Sequence, residues 1–226
     1  MTGYGEAKTL PQIYSGSLVG WKLTHGYVRA DNGELRFRAL NGRGITHAVE
    51  DKAYCAHFEH WREPSPYVHC LCGFNAWADV PTAMRAVDGV LKYYKERLDM
   101  YKGTPFAELP PAWVMQRVDL HGRVIEGTVE AGDVSSYGYR AEYQTVRDVF
   151  IPPDCDRCIK PADHLASVSI ESFMVSLYNR DSVDHHRLRP LCDDHVDIAY
   201  RVFDLHELAD RNNVGVHWGY PDPAPE

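Results

Sequence analysis

Six cysteines fall into two clusters of three, each with histidines nearby, and that grouping makes metal ligation the chemistry to test first. Cys155 and Cys158 form a C-x2-C pair and Cys192 and His195 a C-x2-H pair, giving C-x2-C-x33-C-x2-H overall. Zinc takes four thiolate or imidazole ligands in a tetrahedron, at about 2.3 Å for sulfur and about 2.0 Å for nitrogen, and two-residue spacers let both members of a pair face one ion. Four protein ligands leave no position for water, so the expected role is structural. A redox reading of Cys155 and Cys158 would need the pair to open a helix after a strand in a βαβ setting, and the surrounding pattern is not of that kind.

The other cluster supplies Cys55, Cys70 and Cys72, with His60 as the best placed fourth ligand, in the pattern C-x4-H-x9-C-x-C-G. Gly73 lets the backbone bend away from an ion held by the C-x-C hook. His57 and His69 compete with His60 for the fourth position. The alternative is three reduced core cysteines, against which stand the polar neighbours His57, Glu59, His60, Arg62 and Glu63. The expectation is therefore two structural Zn²⁺ ions, each in a Cys3His site.

These ligands need elements to hold them. Residues 17–40 alternate apolar and polar side chains around Asn32-Gly33, which predicts an antiparallel meander turning at that pair. Met84, Val87, Leu91, Tyr94 and Leu98 recur at spacings of three and four after Asp79 and Pro81, which predicts one long helix over 81–101. A second β region follows Pro110-Pro111, with a hairpin expected near Gly122 and a third strand over 139–151. Residues 167–178 favour a strand. Ile198, Val202, Leu205 and Ala209 predict a helix over 193–212, stopped at Asn212-Asn213. A knuckle at Cys155 and Cys158 and a pair on the first turn of that helix would together resemble a treble-clef finger. The fold class expected is α+β: a β-rich zinc-binding domain over 1–152, forming a small sheet or barrel, a treble-clef-like module over 153–219, and a disordered tail over 220–226.

Charge narrows the partners. The formal net charge is −8, and zinc held by three thiolates makes it more negative. Non-specific nucleic-acid binding rests on phosphate neutralisation by Lys and Arg, so an acidic chain binds poorly in that mode. Arg157, Lys160, Arg180, Arg187 and Arg189 give residues 155–192 a basic flavour, offset by Asp156, Asp163, Glu171, Asp181 and Asp184. The first ten residues lack the basic flank and apolar stretch of a secretion signal, and the absence of a long apolar run argues against a membrane span. Cytoplasmic residence follows as the expectation, and a reducing compartment turns clustered cysteines toward metal.

On Val19-Gly20-Trp21-Lys22, Cys55 with His60 and Pro64, the run CLCGFNAW at 70–77, VDLHGRV at 118–124 and GYRAE at 138–142, the chain resembles a set of uncharacterised proteins of actinobacteria and their phages. The resemblance spans roughly residues 17–150. It departs at His121, where Trp is expected, and in the insertion carrying the helix at 81–101; the second cysteine cluster reads as an addition. It implies no catalytic residue. The function expected is a zinc-stabilised, non-enzymatic adaptor acting on a host or phage protein, with Tyr137, Tyr139 and Arg140 as contact candidates. The alternative is a nucleic-acid-binding zinc protein, and a third reading is an HNH-like nuclease using His185 and His186. Phosphate loops and serine-triad signatures do not stand out.

Overall fold

The computed structural model describes residues 13–29, 31–39, 46–54, 65–66, 72–101, 113–131, 134–158, 160–169, 185–197 and 200–222. Among the described residues it is predominantly antiparallel β-sheet with two helices and one Cys/His cluster. The strands are β1 (Ile13–Ser15), β2 (Leu18–Arg29), β3 (Leu35–Ala39), β4 (Glu50–Lys52), β5 (Phe74–Trp77), β6 (Trp113–Ala131), β7 (Val134–Ile151), β8 (His164–Ser169), β9 (His185–Leu191), β10 (Arg201–Phe203) and β11 (Gly215–Trp218). The helices are α1 (Val80–Tyr101) and α2 (Leu205–Asn212).

Strand β2 pairs with β6, β6 with β7, β7 with β5, and β5 returns to β2 where Trp77 faces Trp21, so these four close on one another. Inside lie Val118, Leu120, Val124, Ala141, Val146 and Val149, all at most 1% exposed, because β-branched side chains fill a pleated interior well. On the opposite face of β2, Leu23 joins Trp77 and Met115 beneath α1, whose Ala83, Ala86 and Val87 are small enough to let the helix sit close to the sheet. The Asp79 carboxylate accepts from the Thr82 amide at 2.7 Å and so satisfies a donor at the start of α1.

The meander turns at Asn32-Gly33, as its alternation predicts. Gly33 has φ 72°, and its amide donates to Arg29 O at 3.0 Å. Downstream of β9 the chain returns to this turn: Asn212 accepts from the Leu35 amide at 2.7 Å and donates to Gly33 O at 3.3 Å. Strand β9 pairs with β2, and β11 pairs parallel with β7, so segments from both sides of residue 152 share the sheet.

Two expected elements need correction. Residue Gly122 is not a hairpin turn. Strand β6 runs through it unbroken, and its φ of 76° marks a shift in register against β7 between His121 and Val124. The β6–β7 pairing instead extends to Ala131 opposite Val134. The helix expected over 193–212 is also shorter: α2 begins only at Leu205, after β10 has paired Val202 with Ala166 of β8. Asp204 sets that start, its side chain accepting from His206 and Glu207 amides at 2.8 and 3.0 Å. Asn213 stops the helix in the left-handed region, φ 53°, as anticipated.

Candidate metal centre

After β7 the chain enters a first knuckle, residues 155–158, whose Cys158 amide donates to Cys155 O at 3.3 Å. After β9 it enters a second, residues 192–195, closed by the His195 amide on Cys192 O at 2.9 Å. The second pair therefore lies in a turn between two strands and not on a helix, so the helix-borne half of a treble clef is missing. Each knuckle aims an amide at its leading sulfur: Arg157 N lies 3.5 Å from Cys155 Sγ, and the Asp194 amide bonds Cys192. Backbone bonds lock the knuckles together, from Asp156 N to Pro190 O at 2.9 Å and from Asp163 N to Leu191 O at 3.0 Å.

The ligand atoms of Cys155, Cys158, Cys192 and His195 all lie within 4.8 Å of one another. Cys158 Sγ is 3.6 Å from Cys192 Sγ, and His195 Nδ1 is 3.3 Å from Cys192 Sγ and 3.6 Å from Cys155 Sγ. Tetrahedral zinc with the bond lengths above places sulfur about 3.8 Å from sulfur and about 3.5 Å from nitrogen. A disulfide would bring two sulfurs to about 2.05 Å. All three cysteines are free thiols at separations suited to a shared cation.

Electrostatics says the same. Burial pushes the Cys192 thiol up to about 11, with the Cys158 and Cys155 thiols adding to the rise. Burial pushes Cys155 upward too, but hydrogen bonds from the Cys192 and Arg157 backbone, and from the neighbouring thiols, hold it below the ordinary thiol value. Three crowded sulfurs thus contend for protons, a conflict that a divalent cation removes. Cys155 and Cys192 are buried with Ala166 and Leu191, and Cys158 and Tyr200 pack against them.

Sequence reasoning missed the side chains that brace the knuckles. Arg189 and Asp156 form a 2.9 Å ion pair with side chains only 11% and 8% exposed. Burial raises the Asp156 pKa even though Arg189, Arg157 and Arg187 oppose the rise. Lys160 pairs with Asp194, and His164 Nε2 lies 2.6 Å from Asp193 Oδ1, so side chains that follow the first knuckle are tied to the second. Alternating signs across the two motifs were the available signal.

Of the other predicted site, Cys72 is half-buried and Gly73 has φ 111°, the left-handed conformation expected of the residue after the hook. Cys55, His60 and Cys70, with the competing His57 and His69, lie outside the described residues. Among the described residues, no helix is long and apolar enough to cross a membrane. No family model, curated protein or solved structure matches the chain.

Proposed function

We propose that the chain is a zinc-stabilised, non-catalytic binding module in which the ion fixes one end of a sheet that meets a macromolecular partner. The observation that carries this reading is the gathered donor set: three sulfurs and one imidazole nitrogen, all within 4.8 Å of one another. Thiolate-rich sites select zinc over harder cations, and four protein ligands leave no vacancy for substrate. The ion would hold the β7–β8 and β9–β10 connections, which are otherwise short turns with a small apolar cluster beneath them. A second zinc at Cys55, His60, Cys70 and Cys72 belongs to the same proposal, supported by the backbone bend at Gly73.

The test combines metal content with unfolding. Chelation should release about one equivalent of zinc from the Cys155 site and lower the melting temperature, with zinc restoring it. Plasmid cleavage with Mg²⁺ or Mn²⁺, abolished by alanine at His185 and His186, would overturn the non-catalytic reading.

A further inference from the structure

The three sulfurs of the metal centre differ in access. Cys155 and Cys192 are only 4% and 3% exposed, whereas Cys158 is half-buried at the edge of their cluster, so a reagent in solution reaches Cys158 first. Its sulfur lies 3.6 Å from Cys192 Sγ on the other knuckle. A disulfide needs about 2.05 Å, which leaves about 1.5 Å to close. An accessible thiolate with a buried thiol in reach favours a disulfide, because the second sulfur can resolve the first oxidation before more oxygen is added.

The backbone already holds the two turns against each other. Asp156 N donates to Pro190 O at 2.9 Å and Asp163 N to Leu191 O at 3.0 Å, so the closure falls to the side chains. A Cys158–Cys192 link would join the same knuckles that the ion joins. It would also consume two of the four ligands, and the remaining Cys155 and His195 cannot complete a tetrahedron around zinc. This pair spans 34 positions and both knuckles, unlike a redox pair made of Cys155 and Cys158 within one turn. The knuckles can therefore be clamped by the metal or by the disulfide, and not by both.

We infer that the centre is a redox switch, in which hydrogen peroxide converts the zinc clamp into a Cys158–Cys192 disulfide and releases the ion. The inference rests on the zinc reading of this site and supplies its regulation. The Cys158 thiolate attacks one peroxide oxygen: the S–O bond forms, the O–O bond breaks and hydroxide leaves, so sulfur is oxidised to the sulfenic acid and the peroxide is reduced. The Cys192 thiolate then attacks the Cys158 sulfur; the S–S bond forms, the S–O bond breaks and a second hydroxide leaves. Protons from solvent turn both hydroxides into water. Two thiolates, one peroxide and two protons thus give one disulfide and two waters, and a dithiol reductant reverses the change by thiol–disulfide exchange.

The test uses wild-type, zinc-loaded, full-length protein, so no ligand variant that might fail to fold is needed. Hydrogen peroxide is added while a chromophoric chelator reports released zinc, and alkylated digests are then mapped by mass spectrometry. One zinc should leave for each disulfide formed, the metal-free chain should lose about 2 Da, and the linked peptides should carry Cys158 and Cys192. Dithiothreitol should restore the thiols and let zinc rebind. Peroxide that leaves the zinc in place would overturn the inference while zinc ligation stands. Release that leaves Cys158 as a sulfinic acid, or that builds a disulfide through Cys155, would overturn it as well. Protein that carries no zinc at this site before peroxide is added would instead remove the module reading, and the inference with it.

Discussion

Metal affinity at the Cys3His centre should climb steeply with pH, because ligands must lose protons before they bind. Burial holds the Cys192 thiol near 11, so this residue keeps its proton through the neutral range and must release it to the ion. Cys155 is pulled below the ordinary thiol value, so its proton leaves more readily than that of Cys192. Between one and three protons should therefore leave per ion bound. The perturbation is a change from about pH 6 to about pH 7, and affinity should rise by roughly tenfold at least and by as much as a thousandfold. Competition with a chromophoric chelator of known proton linkage measures it, and calorimetry in two buffers counts the protons independently. A flat profile, or fewer than one proton released, would refute thiolate ligation.

Three further outcomes follow from the fold. Lys22, whose ammonium donates to Gln144 at 2.9 Å and lies 5.2 Å from the Phe74 ring centroid, is brought down to about 8 by burial. The unfolded chain then binds more protons between about pH 8 and pH 10.5, so stability rises with pH there; Lys22→Met should raise stability by about 1–3 kcal/mol in urea unfolding at neutral pH, a gain that shrinks above pH 10. Gly138→Ala should cost about 1–3 kcal/mol, because a β-carbon there would collide with the Ala76 carbonyl oxygen and stand 2.8 Å from Val129 Cγ2. Asp204→Ala should lower the melting temperature at neutral pH. The Glu207 amide holds the Asp204 carboxyl below its ordinary value, so that contribution is present above the unfolded pKa and lost as pH falls through the folded one; wild type and variant should converge in acid.

How much of this was legible in the sequence depends on the range of each interaction. Cys155, Cys158, Cys192 and His195 were readable because two-residue spacers are local constraints with one chemistry. The element bearing the second pair was not. Val202 and Leu205 satisfy helical spacing, yet Val202 pairs with Ala166 in a strand, and Asp204 restarts the chain as a helix. A hairpin turn was anticipated at Gly122, but a glycine of positive φ serves a turn and a bulge equally, and only the partner strand decides between them. The meander at Asn32-Gly33 was recovered because turn chemistry and alternation agreed.

X-ray absorption at the zinc edge, on native protein purified without added metal, tests the central claim most directly. A site built from Cys155, Cys158, Cys192 and His195 predicts a shell dominated by sulfur near 2.3 Å with nitrogen near 2.0 Å, and replacing Cys158 and Cys192 with serine should remove that shell's contribution. Protein that arrives with no zinc, or with an oxygen-dominated shell that the double replacement leaves intact, would contradict it.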